Sequence, residues 1–381
     1  MPDLRPFPYS LNMDHETFEQ ASNHAQLSSD TRDPDLSLIP GLPDDIALLC
    51  LVRVPRKYHP LLKSVSRRWR ALVHSEAFYA CRQNLRLAEA WVYSLCRDAS
   101  DQVHGYVREP TKRRWRPLKG VPPQCSKRYG MAFGVLGHRL YLLGGCRWLE
   151  DASTQVHYYD AITDEWGEAA PLVKPRCHFV CESLEHKLYA IGGMGLSSET
   201  LHSFEVYDPI KNEWTLSEDP DILADPGESL SFEGNIYIRH VSPDVVPSHY
   251  AAMCRPSAGG KWQPVDGGMV MGLRGPAVVV GSRVYMVDQG SGGVRLMVWD
   301  EKERDWVGVG RLSGLVVRGP CKLAGLGGRG VVVVGRGMGG AVVDLKASGS
   351  RGVGVLVGSS VVGLGGECSN NQVICCESIA V

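Results

Sequence analysis

The chain has 381 residues, a formal net charge of -1, 44% hydrophobic residues and 22% charged residues. That length suits one large domain plus a small one, and the balanced charge gives no basic field for nucleic acid. The longest apolar runs are valine stretches such as Val331–Val334, far short of the about 20 residues of a membrane span, so no membrane partner is expected.

In chain order, residues 1–37 are polar, carry Pro2, Pro6, Pro8 and Pro34, and lack an apolar period, which predicts a disordered N-terminal tail. No charged segment followed by an apolar one marks a secretory signal there, so the expected location is cytoplasmic and/or nuclear. The twelve cysteines then read as reduced thiols, not as a disulfide framework. Neither Cys177/Cys181 nor Cys375/Cys376 has a histidine–cysteine partner set at zinc spacing, so no metal site and no cofactor are expected.

Residues 38–84 are rich in leucine and arginine and read as helix. Pro43 with Asp44 and Asp45 makes a helix start, with proline in the first turn and acids at the positive dipole end. Ile46, Leu48, Leu49, Leu51 and Val52 follow until Pro55 stops the helix. Tyr58, Leu61, Leu62 and Val65 form a second apolar stripe, and Trp69, Leu72 and Val73 a third that ends near Phe78.

From residue 85 to 381, short apolar runs alternate with Gly, Pro, Asp and Asn clusters, a many-stranded signature. Tyr141, Tyr189, Tyr237 and Tyr285 lie 48 residues apart, and the same step backward reaches Tyr93 and forward Val333. Trp115, Trp166, Trp214, Trp262 and Trp306 follow the tyrosines by 22, 25, 25, 25 and 21 residues. Three of these close a matching phrase: YDAITDEW, YDPIKNEW and WDEKERDW. Gly144–Gly145 and Gly192–Gly193 end two of the tyrosine strands. Each unit therefore reads as an apolar inner strand such as His178–Leu184, a turn at Glu185–His186, the tyrosine strand, a third strand ending at Tyr-Asp, and a tryptophan packed in the seam between adjacent sheets. Radial repetition buries the faces that one such sheet leaves open. The sixth repeat is degenerate: residues 308–366 hold 19 glycines and no aromatic residue follows Trp306. The first repeat lacks an inner strand before Trp91, and Ile374–Ile379 matches Phe179–Leu184, so a C-terminal strand over 373–381 is expected to complete it.

The doublet, Tyr-Asp and tryptophan pattern resembles the kelch repeat family. Leu42-Pro43, the apolar helix, Val54-Pro55 and Val65-Ser-Arg-Arg-Trp69 resemble the F-box, although Ser66 and Arg67 depart from the usual middle of that motif. The pairing is similar to plant F-box/kelch proteins that bind Skp-type adaptors. It implies a mostly β fold, a six-bladed kelch propeller over 85–381 preceded by a small three-helix F-box over 38–84.

The resemblance also implies a non-catalytic substrate receptor of an SCF-type cullin–RING ubiquitin ligase. The F-box would dock on the Skp-type adaptor through Leu42, Pro43, Ile46, Leu49, Val54, Pro55 and Trp69, with Leu62 and Val65 in the apolar set divided between its core and the adaptor groove, and the basic charge of Arg53, Arg56, Lys57, Lys63, Arg67, Arg68 and Arg70 favouring an acidic partner. The propeller would hold an unidentified target protein on one rim, with Arg128, Arg176, Arg274 and Arg318 before the inner strands and Arg147, Trp148, Met194 and Gln289 after the doublets. The arginines have two readings at this stage: anchors for an acidic or phosphorylated target, or framework groups paired with backbone carbonyls. Two alternatives to the ligase role stay open, a kelch scaffold uncoupled from ubiquitination and a propeller oxidase, the latter with no ligand motif to support it.

Overall fold

The computed structural model describes residues 37–112, 114–222, 226–241, 249–265, 268–290, 293–328, 330–345, 354–355, 359–364 and 366–381. The tail predicted over 1–37 falls, but for its last residue, outside the described residues. The chain divides into two compact units, Met1–Glu89 with Ala380–Val381, and Ala90–Ile379.

Among the described residues, the first unit contains four α-helices where three were expected over 38–84: α1 (Asp44–Leu51), α2 (His59–Val65), α3 (Arg67–His74) and α4 (Glu76–Asn84), with a 3-10 turn at Arg56–Tyr58. One serine makes the difference. Ser66 accepts a hydrogen bond from Trp69 N at 3.1 Å and starts the expected third helix, while Ser75 accepts one from Phe78 N at 3.3 Å and so caps a further helix where the third stripe was read as continuous to Phe78. Ala47, Leu48, Leu51, Leu72, Val73 and Phe78 form the core of this small bundle.

The second unit is a six-bladed propeller. Blade 2 (Ala132–Leu136, Arg139–Leu143, Val156–Asp160, Glu165–Ala169) and blade 3 (Val180–Leu184, Lys187–Ile191, Ser203–Asp208, Glu213–Glu218) are regular antiparallel sheets. Blade 4 comprises Pro226–Phe232, Asn235–Val241, His249–Cys254 and Trp262–Pro264. Blade 5 comprises Ala277–Val280, Arg283–Asp288, Arg295–Asp300 and Asp305–Arg311, with Gly354–Val355 added in parallel at its outer edge. Blade 6, read as degenerate, is a four-stranded sheet of Lys322–Gly325, Gly330–Val334, Gly340–Asp344 and Ser359–Val361. Val331, Val332, Val333 and Val334 are all buried, so β-branched side chains fill the volume that aromatic residues fill elsewhere. Blade 1 has the order Gln372–Ala380, Ala90–Arg97, Val103–Arg108, Arg116–Pro117, its innermost strand supplied by the C-terminal segment.

The repeated phrases have a local physical cause. In YDAITDEW, Asp160 Oδ1 accepts from Ile162 N at 2.9 Å and Thr163 N at 3.2 Å, and Asp208 and Asp300 do the same in their own turns. Asp164, Asn212 and Arg304 then take positive φ of 60°, 53° and 51°, reversing the chain before the tryptophan strand. The hydroxyls of Tyr159 and Tyr207 donate to Asp164 and Asn212 at 2.7 and 2.8 Å, locking those reversals. Tyrosines also bridge blades: Tyr93 lies 5.7 Å from Tyr159, and Tyr141 5.8 Å from Tyr207, centroid to centroid. Each indole that donates reaches the previous blade or the stretch that follows it. Trp166 Nε1 donates to Lys119 O, Trp214 to Ala170 O and Trp306 to Met269 O, at 2.9–3.1 Å, while Trp115 donates to Met338 O of blade 6 at 2.8 Å.

The glycine doublets answer to close approach. Gly144 and Gly145 have φ of 59° and 83°, and a Cβ on Gly144 would stand 2.4 Å from the Arg176 carbonyl oxygen of the next blade.

Inner strands of several blades bring carboxyls together at the centre of the ring. Glu182 of blade 3 accepts hydrogen bonds from Ser229 and Ser231 of blade 4 at 2.6 and 2.8 Å, and its pKa is raised by burial against those bonds. Glu377 of blade 1 is pushed up to about 8, first by burial and then by the charge of Glu182, with Lys322 opposing. A carboxyl raised on folding takes up a proton, so its stabilising contribution is full below its ordinary value of 4.5 and is lost as pH rises through about 8. Glu377→Gln is expected to flatten the fall in melting temperature between roughly pH 5 and pH 9. An unchanged slope in that variant refutes the assignment.

Candidate functional site

The helical unit is organised around a buried cation. Arg82 Nη1 donates to Val52 O at 2.6 Å and Val54 O at 2.9 Å, and Nη2 to Leu87 O at 2.9 Å and Glu89 Oε1 at 3.2 Å. These bonds fix the end of α1 and the Val54-Pro55 stop against α4. His59 lies beside it, within 3.1 Å of both Tyr79 Oη and Val54 O; burial, then the charge of Arg82, lowers its imidazole to about 4, so it is neutral near pH 7. Trp69 is half-buried, its Nε1 donating to Leu38 O at 2.6 Å, and Arg68 pairs with Asp44.

That interior turns apolar groups outward. Leu42 is 37% exposed, Ile46 41%, Leu61 63% and Val65 61%. Pro43 and Pro55 are exposed, while Leu49 and Val54 are half-buried. Leu61 and Val65, one turn apart on α2, are more open than Leu42 and Ile46; Val65 belongs to the apolar set divided between core and groove, whereas Leu61 had no place in it. Their signal was the stripe Tyr58–Val65: only His59 and Leu62 of it are buried, and Leu61 and Val65 face outward. Arg53, Lys57, Arg67 and Arg70 are exposed nearby in sequence, whereas Arg56 is buried.

On the propeller, the segments before the inner strands and after the doublets do meet. Tyr129 and Cys146 exchange backbone bonds of 2.8 and 2.9 Å, Cys177 and Met194 likewise, and Arg176 N donates to Ser153 O at 3.1 Å. The arginines there part company. Arg176 is completely buried, donating to Glu205 Oε1 at 2.9 Å, Gly192 O at 2.9 Å and Ser203 O at 3.0 Å. Arg128, also buried, donates to Gly144 O and Gln155 Oε1 at 3.1 and 2.7 Å. These two hold the doublet of their own blade, the framework reading. Gln289 is similarly engaged, exchanging bonds with Cys321 N and O at 2.8 and 3.3 Å across the seam of blades 5 and 6.

Arg274 and Arg318 are exposed, and Arg147 and Met194 half-buried. Trp148 is 81% exposed. Arg128 and Arg147 share the wall of a cavity of about 440 Å³ with Cys146, Glu150, Asp151 and Leu196. Leu149 and Leu196 extend the exposed apolar surface beside Trp148 and had no place in the sequence reading, because loop leucines carry no periodic signal. Among the described residues, no helix is long and apolar enough to cross a membrane.

Known proteins resemble both units. Residues 39–81 match the F-box domain family, and 127–172 and 175–219 match the Kelch motif family, these last two spanning blades 2 and 3. The F-box/kelch-repeat protein SKIP4 of Arabidopsis thaliana is 37% identical over 360 residues, 93% of this chain and 98% of that protein. The F-box/kelch-repeat protein At1g67480 of the same plant is 32% identical over 39% of this chain and 40% of its own length, and the F-box protein AFR 29% identical over 41% and 42%. A helical F-box, a six-bladed propeller and this near full-length similarity together show that the chain belongs to the F-box/kelch-repeat proteins.

Proposed function

We propose that this chain is the substrate receptor of an SCF-type cullin–RING ubiquitin ligase. Its helical unit docks on a Skp-type adaptor, and its propeller holds a target protein so that target lysines reach the ubiquitin-conjugating enzyme carried by the scaffold. Such a receptor breaks no bond itself; it raises effective concentration. The observation that supports this reading is the exposed apolar set Leu42, Ile46, Leu61 and Val65 on a unit that matches the F-box domain. Exposed basic residues such as Arg53 and Lys57 suit an acidic adaptor and would speed its association. The target surface consists of exposed Trp148, Arg274 and Arg318 with half-exposed Arg147 and Met194; Arg128, Arg176 and Gln289 support it from within.

The full-length chain is expected to co-purify with a Skp-type adaptor. Leu61→Asp with Val65→Asp is expected to weaken that binding by about 100-fold or more, because burying each side chain contributes about 1.5–3 kcal/mol. The propeller's melting transition should not move. A chain that never binds the adaptor sends the reading to an uncoupled kelch scaffold, whereas adaptor binding that survives the double change places the adaptor surface away from Leu61 and Val65.

A further inference from the structure

The seam between blades 2 and 3 holds a group of donors that neither surface described above requires. Cys146 follows the doublet of blade 2, and Cys177 and His178 precede the inner strand of blade 3. Their two sulfurs and an imidazole nitrogen all lie within 4.8 Å of one another. Burial is graded: Cys177 is buried, Cys146 half-buried and His178 exposed. The backbone fixes all three. Cys146 is paired with Tyr129 and Cys177 with Met194, and His178 N donates to Gly130 O at 2.8 Å. Gly130 has φ of +60°, and a Cβ there would stand 2.8 Å from the His178 ring, so the glycine makes room for the imidazole. Donors held by hydrogen-bonded backbone from two blades are positioned before any ligand arrives.

We propose that Cys146, Cys177 and His178 form a Zn²⁺ site with three protein ligands and a fourth position open to an exogenous ligand. Two thiolates and an imidazole are a preferred donor set for zinc. Tetrahedral coordination places neighbouring donors about 3.5–3.8 Å apart, a short adjustment of side-chain torsions from the present spacing. Binding displaces one proton from each thiol to solvent, and the resulting complex of one dication and two thiolates is neutral. Neutrality suits a seam whose neighbouring cavity already holds the guanidiniums of Arg128 and Arg147 beside Cys146. A disulfide between the two sulfurs would leave the approach of His178 without a role. The site escaped the search for zinc spacing because its cysteines sit 31 residues apart in sequence and meet only across a blade seam.

The test is a titration of the reduced, chelator-treated full-length chain with Co²⁺ and then Zn²⁺. One equivalent of Co²⁺ is expected to produce thiolate-to-cobalt absorption with the visible bands of tetrahedral cobalt, and Zn²⁺ to displace it. Cys146→Ser and His178→Ala, at the two less buried positions, are each expected to weaken Zn²⁺ binding by more than about 100-fold, beyond the loss of an outer-shell partner. Both should keep the melting transition of the metal-free chain. Absence of thiolate–cobalt absorption overturns the proposal, as does Zn²⁺ affinity unchanged by Cys146→Ser. Recovery of the chain from cells with Cys146 and Cys177 joined in a disulfide overturns it in favour of a redox pair.

Discussion

Deletion of residues 374–381 is expected to remove most of the soluble yield of the propeller. The segment forms the innermost strand of blade 1, and Cys375, Cys376 and Ile379 are each at most 3% exposed. Burial of three such side chains contributes roughly 5 kcal/mol, comparable with the about 5–15 kcal/mol that separates most folded domains from their unfolded state. The deletion also bares the backbone edge of Ala90–Arg97 and leaves Ser94 Oγ without the Cys375 carbonyl it now reaches at 2.7 Å. Soluble yield and chemical denaturation of the truncated chain check this. A soluble, equally stable product would mean that the strand only lies along the sheet without closing the ring.

Arg176→Glu is expected to unfold the propeller, whereas Arg274→Glu is expected to leave it folded. Arg176 and Glu205 are both fully buried. Glu205 also accepts from Val173 N at 2.6 Å and Lys174 N at 3.0 Å, so the pair fixes the chain between blades 2 and 3. Breaking such a pair costs about 3–5 kcal/mol, and a second carboxylate in its place adds repulsion. Arg274 is exposed, and a surface change of that kind stays within about 0.5 kcal/mol. Denaturation midpoints separate the two variants. If Arg176→Glu melts like the parent, the arginine belongs with the target-binding groups after all. If Arg274→Glu unfolds the chain, it belongs with the framework.

The architecture was legible because a propeller repeats itself. A period of 48 residues, with Tyr-Asp and tryptophan at fixed places, records the same turn chemistry and the same seam in successive blades. The sites were less legible, for a reason that Arg128 and Arg274 illustrate. Both precede an inner strand at nearly the same phase, and sequence cannot say that one turns into its blade and the other out. Leu61 poses the inverse problem: a stripe of apolar residues on a short helix reads as core until its neighbours are shown to cover only part of it. The grouping of Cys146 with Cys177 and His178 belongs to a third kind, contacts made between blades, which no spacing within a repeat reports.

The direction of the indole bonds bears on how the ring comes together during synthesis. Trp166, Trp214 and Trp306 each find a carbonyl 37–47 residues upstream, in chain that has already left the ribosome. Blades 2, 3 and 5 can therefore dock on what precedes them as they emerge. Trp115 points the other way, to a carbonyl 223 residues downstream. The earliest blade thus waits longest for its neighbour, and a nascent chain stalled before blade 6 presents an unfilled seam and a bare strand edge to the cell's chaperones.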